Sequence, residues 1–139
     1  QSGAVMVFRL LLERGLPPEE VAEIVTAIGN HDEGTGKPVS DLAAALILAD
    51  KSDVRRSRVR NRDIATFDIH DRVNYSVTKS QLEIDESKTI VRLNLHIETE
   101  YSSVMDYFEI FLNRMTMCRR AAERLGLRFE LVINDQKLV

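Results

Sequence analysis

The hydrophobic period changes once along this chain of 139 residues, and that change limits the folds open to it. Early in the chain, apolar residues recur at i, i+3, i+4 and i+7, which is typical of an amphipathic helix; they are Val21, Ile24, Val25 and Ile28. Later they alternate with polar residues, which is typical of a half-buried strand; they are Val91, Leu93, Leu95 and Ile97. The sequence therefore predicts a helical first part and a sheet in the second part.

Three helices are predicted in the first part. Residues 4–14 are apolar on most sides, which predicts a buried helix that stops at Gly15. A second helix follows Pro17 and Pro18 and ends near Ile28. A glycine-rich loop then leads to Ser40, which is placed to cap a third helix over about residues 41–56.

The second part is predicted to form a ββαβ module. Alternation over residues 73–78 and 91–97 indicates two strands joined as a hairpin, followed by a long amphipathic helix over 102–125 and a third strand over 129–133. The predicted fold class is therefore α+β. An all-helical segment at residues 1–62 is followed by the ββαβ module at residues 66–139, with an antiparallel or mixed sheet.

Composition excludes several classes of protein. The apolar run that contains Ala43–Ala49 is far shorter than the roughly 20 residues that span a bilayer, and no signal-peptide pattern opens the chain. A net charge of −3 gives no general attraction for a nucleic-acid polymer. The single cysteine, Cys118, favours the reducing cytoplasm. Because a helical pattern is running by Val5, we expect the chain to begin inside a longer protein.

Asp50 and His31 are the candidate metal ligands. Asp50 shares a helical face with Ala43, Ile47 and Val54, where a carboxylate needs a cation, a metal or several hydrogen bonds. Spacing alone leaves two alternatives open, a metal ligand or an ion pair with an arginine of residues 51–62. His31 lies in the glycine-rich loop, which could bring its imidazole beside Asp50, and both groups suit Zn, Mn or Fe.

The segments that hold these two residues resemble a known family. Residues 28–38 (Ile-Gly-Asn-His-Asp-Glu-Gly-Thr-Gly-Lys-Pro), the stretch from Ala43 to Asp53 and the basic run that follows look like the C-terminal half of an HD-domain metal-dependent phosphohydrolase. The resemblance implies that Asp50 coordinates a divalent metal (Fe, Mn, Zn or Mg). It also implies that His31 binds a second metal in dinuclear members, and that the remaining ligands lie upstream.

The resemblance implies hydrolysis of a phosphomonoester, nucleotide or dinucleotide by a metal-activated water, with no catalytic residue independent of the metal site. The phosphorylated small molecule or nucleotide would be bound by four cations that follow Asp50, because guanidinium groups suit phosphate; they are Lys51, Arg55, Arg56 and Arg58. The alternative for this basic run is a solvated helix end, where positive charge interacts favourably with the helix dipole.

A second function from another class stays open: a non-catalytic regulatory or dimerisation module on an HD-like scaffold. The long helix has a second apolar stripe at Ile110 and Met117, which would pack against the helical half or against a second subunit in a homodimer. We expect Cys118 to be a packing residue and His96 to be solvated. Turn and strand-entry roles are expected for the polar residues between the halves, Asp68, His70 and Asp71.

Overall fold

The computed structural model describes residues 2–139. It contains five α-helices and four strands in this order: α1 (Ser2–Glu13), α2 (Pro18–Gly29), α3 (Asp41–Ser52), α4 (Ile69–Ser76), β1 (Val77–Ile84), β2 (Ile90–Ile97), α5 (Val104–Arg124), β3 (Arg128–Ile133) and β4 (Gln136–Lys137). Two short 3-10 turns, Arg56–Arg58 and Ile64–Thr66, connect α3 to α4.

Local sequence signals set the helix ends. The Ser40 hydroxyl accepts a hydrogen bond from Ala43 N at 3.1 Å and so caps α3. A reciprocal capping box between Ser103 and Asp106 starts α5, in which each side chain bonds the other residue's backbone N–H. Gly126, with φ of +71°, ends α5 in the left-handed conformation that glycine adopts without strain.

The sheet has the strand order β1-β2-β3-β4. The β1–β2 and β3–β4 pairs are antiparallel, whereas β2 and β3 run parallel because α5 crosses between them. The apolar side chains of β2 and β3 are buried on the side that α5 covers. On the opposite face, the nearly buried carboxylate of Glu130 accepts hydrogen bonds from three cations: Arg92, Arg128 and Lys137.

The predicted fold class is wrong, because the molecule is a mixed α/β unit and not an all-helical segment followed by a ββαβ module. One buried cluster joins both parts: Ile47 and Val54 from the helical part lie in the same core as Leu93 of β2 and Leu131 of β3. Helix α5 makes this possible, since it packs against the sheet through β3 and also against α3. The proposed division into residues 1–62 and 66–139 stays a prediction about folding units.

Helix α4 contains residues 73–76, which are four of the six residues predicted to form the first strand, 73–78. Asp68 caps it by accepting a hydrogen bond from Asp71 N at 2.8 Å. Ile69, Val73 and Val77 are spaced four apart, which places them along one side of a helix as well as on one face of a strand. The period of two therefore could not decide between helix and strand here, and β1 begins only at Val77.

Helix α1 is not the buried helix that its apolar sequence predicted. None of its residues is buried, and the side chains of Val5 and Met6 are 55% and 71% exposed. Its main contacts are with α2. Although α1 is strongly apolar, no helix among residues 2–139 combines the length and hydropathy needed to cross a bilayer.

Candidate functional site

The loop between α2 and α3 positions His31. Two backbone hydrogen bonds close the loop, from Gly36 N to Asp32 O at 2.7 Å and from Lys37 N to Asn30 O at 2.9 Å. The imidazole Nδ1 lies 2.5 Å from the carbonyl oxygen of Ile28. Because a carbonyl oxygen can only accept, Nδ1 donates this hydrogen bond, and a neutral imidazole then has its free lone pair on Nε2.

Asp50 lies near the end of α3 with its side chain 41% exposed. Its Oδ2 accepts a hydrogen bond from Lys51 Nζ at 2.6 Å, and no partner for Oδ1 is found in residues 2–139. Partial burial raises the pKa of this carboxyl, but the hydrogen bond and charge of Lys51, with the smaller effects of His31 and Arg114, outweigh burial and lower the pKa below 3.8. Asp50 is therefore ionised at neutral pH.

A network of charges surrounds this carboxylate. The Lys51 side chain is only 6% exposed, and its Nζ is also 4.0 Å from Glu33 Oε1. Arg114 of α5 donates from Nε to the same Glu33 oxygen at 2.5 Å, and its guanidinium lies 4.8 Å from the ring centre of Phe111. We call these five groups the His31–Asp50 cluster: His31, Glu33, Asp50, Lys51 and Arg114.

The fold brings His31 close enough to Asp50 for its charge to act on the carboxyl. The ion pair that was the alternative for Asp50 is also present, but its cation is Lys51 and not an arginine. Within residues 2–139, no three His, Cys, Asp or Glu side chains are grouped so that they could hold a metal ion. The chain thus supplies two donors whose chemistry suits a metal, next to an internal cation.

Two members of the cluster were not identified from the sequence. Glu33 lies two residues after His31 in the same loop, and this proximity could have drawn attention to it. Arg114 is 81 residues from Glu33, its hydrogen-bond partner, and no local pattern in the helix distinguishes it from neighbouring arginines. Only the packing of α5 on α3 shows that Arg114 belongs to the cluster.

The three arginines predicted to bind phosphate are engaged elsewhere. Arg55 and Arg58 pair with the two oxygens of Asp53 at 2.8 and 3.0 Å. Arg56 pairs with Glu98, donates to the Tyr75 carbonyl at 2.7 Å and lies 4.3 Å from the Tyr75 ring centre. In the described chain, none of the three arginines forms an ion pair with a member of the His31–Asp50 cluster.

The other polar candidates have structural surroundings. Cys118 is fully buried, and burial raises the pKa of its thiol to about 12, so it is not a nucleophile at neutral pH. His96 is exposed on the outer face of β2. Met117 of the second α5 stripe is buried within this chain, and Ile110 packs against the same core. The homodimer stays a prediction.

No protein-family profile, no curated protein and no solved structure is significantly similar to this chain. The likeness to HD-domain phosphohydrolases therefore rests on the residues quoted above. The chemistry of the His31–Asp50 cluster is the basis for a functional proposal.

Proposed function

We propose that this chain is part of a metal-dependent phosphohydrolase of the HD type, with His31 and Asp50 as two of its metal ligands. The observation that supports the proposal is the state of these two donors. The Ile28 carbonyl holds the His31 ring with Nε2 unprotonated in the neutral form, and the neighbouring Asp50 is kept ionised. Histidines that bind metals usually donate their other ring N–H in this way.

The donor set fits a divalent metal but is incomplete. An imidazole nitrogen and a carboxylate oxygen are ligands for Fe, Mn and Zn, and the carboxylate also suits Mg. A metal held by the side chains of Asp50 and His31 needs further ligands, which HD-type proteins supply from residues upstream of the segment that resembles this chain. When bound, the metal would lower the pKa of a water molecule and polarise a phosphoryl oxygen.

The other cluster residues have distinct roles in this proposal. Lys51 keeps Asp50 ionised and oriented through the hydrogen bond to Oδ2, which leaves Oδ1 for a ligand. Arg114 is held by Glu33 and by the face of Phe111, so its guanidinium is fixed and can offset charge on a phosphoryl group. We assign this task to Arg114 and Lys51 because Arg55, Arg56 and Arg58 have other partners.

The test compares Asp50→Asn with Asp53→Asn in the natural gene product that contains this chain. Asp53 is a matched control, because it lies three residues further along, is also ion-paired and is outside the cluster. We expect the unmodified protein to contain about one or two equivalents of metal and to hydrolyse p-nitrophenyl phosphate or bis(p-nitrophenyl) phosphate. Asp50→Asn should lose at least about 100-fold in kcat/KM, while Asp53→Asn stays within about threefold.

Metal analysis and a thermal melt on the same samples separate loss of the site from loss of the fold. If Asp50→Asn keeps its metal and its hydrolysis rate, Asp50 is not a ligand and the proposal is wrong. The proposal is equally wrong if the unmodified protein binds no divalent metal.

The second candidate is a non-catalytic regulatory module on the same scaffold. The observation that favours it is the position of Lys51, which is nearly buried and lies near two carboxylates, those of Asp50 and Glu33. An internal cation can neutralise such a cluster without a metal. This candidate predicts that the unmodified protein contains no metal and that Asp50→Asn changes only its stability.

The proposal places the protein in the cytoplasm, with a phosphorylated small molecule or nucleotide as its substrate. The single cysteine supports the location, since the Cys118 thiol is buried and has no second cysteine to pair with in the sequence. The acidic balance of 22 Asp and Glu against 19 Lys and Arg argues for a small substrate and against a nucleic-acid polymer.

A further inference from the structure

A polar surface pocket lies beside the His31–Asp50 cluster. It has a volume of about 270 Å³ and lies between the α2–α3 loop and α5. Glu33 belongs to both the pocket and the cluster, so the two are adjacent. The pocket is otherwise lined mainly by groups that can donate hydrogen bonds: Gly34, Thr35, Lys37, Asn113, Thr116 and Arg120.

The two cations of this pocket have no acidic partner. Neither Lys37 nor Arg120 forms an ion pair within residues 2–139, although the neighbouring arginines of α5 do. Arg114 pairs with Glu33, and Arg119 lies 4.0 Å from Glu123. Lys37 and Arg120 contribute two positive charges to the pocket lining and Glu33, which is paired with Arg114, contributes one negative charge, so the lining has a net positive charge that favours an anion.

The loop wall of the pocket is fixed in place. A Cβ atom at Gly36 would lie 2.3 Å from the Asp32 carbonyl oxygen, 2.6 Å from that of Asn30 and 2.9 Å from Met117 Cε. The backbone here is therefore packed tightly against itself and against α5. Lys37 follows Gly36 directly and is anchored through its own N–H to Asn30 O, so little backbone ordering would accompany ligand binding.

We propose that this pocket binds a second phosphate group of the substrate. The inference rests on the proposed function, in which a first phosphoryl group lies at His31 and Asp50. Lys37 and Arg120 would bind the second phosphate by charge-assisted hydrogen bonds. The preferred substrate is then a phosphoester that carries a further phosphate group on the same molecule, and such a substrate should bind more tightly than a phosphomonoester that has only one.

The test titrates inorganic pyrophosphate into the ¹⁵N-labelled natural gene product in the presence of EDTA and follows the amide shifts of this chain by NMR. EDTA removes any metal, so binding reports the pocket and not the proposed metal site. We expect shifts in residues 34–37 and 116–120. The double variant Lys37→Gln, Arg120→Gln should weaken binding by about tenfold or more. Arg119→Gln removes a neighbouring exposed arginine outside the pocket and should change Kd less than about twofold.

Several outcomes overturn the inference. It is wrong if these amides do not shift up to about 10 mM pyrophosphate, or if Arg119→Gln weakens binding as much as the double variant. If Arg114→Gln weakens binding and the double variant does not, the anion lies at the cluster, and the inference fails while the proposed function stands. If the double variant weakens binding but the gene product has no metal-dependent hydrolysis, the anion pocket is supported and the proposed function fails.

Discussion

Replacing Gly36 by alanine tests whether the loop that holds His31 and Lys37 is as tightly packed as the structure shows. The new Cβ would lie 2.3 and 2.6 Å from two backbone carbonyl oxygens, about 1 Å inside ordinary contact. Backbone cannot turn away as a side chain can, so the loop must open and strain or lose two hydrogen bonds, Gly36 N to Asp32 O and Lys37 N to Asn30 O. At about 0.5–1.5 kcal/mol each, Gly36→Ala should lower the free energy of unfolding by about 1–3 kcal/mol.

Gly34→Ala is the matched control, because it lies in the same loop and a Cβ there meets no atom within 4 Å. Its φ is not in the left-handed region, so alanine should be neutral or stabilise the fold by about 0.4–1 kcal/mol by restricting the unfolded chain. Urea unfolding followed by circular dichroism measures both variants. Equal free energies of unfolding for the two variants, or a cost below about 0.5 kcal/mol for Gly36→Ala, would refute the packing argument.

Three further predictions concern stability elsewhere. The Cys118 thiol ionises above pH 9 when unfolded but only near 12 when folded, so ionisation favours unfolding. Between pH 9 and about 10.5 the protein should therefore lose about 2 kcal/mol that Cys118→Ala does not lose, as measured by urea midpoints. Hydrogen bonds from Ser87, Ile90 and Thr89 lower the pKa of Asp85 to about 2. The free energy of unfolding should therefore fall as pH drops below 3.8. In thermal melts, the melting temperature of Asp85→Asn should decrease less over this acid range than that of the unmodified protein. Asn134→Ala removes both hydrogen bonds to the Ile97 backbone, at 2.8 and 3.0 Å, at a position with φ of 49°. It should cost about 2–4 kcal/mol in urea unfolding, against about 1 kcal/mol or less for Asn94→Ala, a half-buried residue whose amide makes one hydrogen bond, to the Glu83 carboxylate.

The sequence correctly predicted the elements that have strong local signals. The prediction was wrong where one set of apolar residues fits both the spacing of a helix and that of a strand. A capping Ser40, a proline at the start of α2 and glycine after α5 placed those helix ends within a few residues. The alternation over Val73, Tyr75 and Val77 also fits a helix, since Ile69, Val73 and Val77 are spaced by four. Residue spacing could not show that Asp68 would cap a helix there, or that Val73 would be fully buried beside the sheet.

For helix α1 the type of element was predicted correctly, but its burial was not. An apolar sequence indicates that a helix should be buried, but whether a partner exists is a property of the whole fold. Here only α2 provides substantial contact, and apolar side chains such as Met6 stay exposed. The fold class failed for a similar reason, because the packing of α3 on α5 joins residues that lie far apart in sequence and that no local pattern connects.

Only those residues of the candidate site that lie in a recognisable local sequence context were predictable. The places of His31 in a loop and of Asp50 on a helix predict them as ligands, and in the structure His31 is near enough to Asp50 for its charge to lower the pKa of that carboxyl. The burial of Lys51 was not predicted, since the apolar face was assigned to Asp50. In the structure the Asp50 side chain is 41% exposed and that of Lys51 is 6% exposed, so the buried charge of this pair is the cation.

The burial of Lys51, in place of Asp50, determines which further ligands a metal would require at this cluster. Glu33 and Asp50 contribute two negative charges to the cluster, and Lys51 and Arg114 contribute two positive ones, so the formal charges of these four groups sum to zero without any ion. A divalent cation would then enter a site that this chain has already neutralised, and desolvating it would be unfavourable unless further ligands were anionic or strongly coordinating. Metal affinity in the HD-type proposal therefore depends on ligands beyond these 139 residues. The regulatory alternative needs none, which is why metal content of the natural gene product separates the two functions.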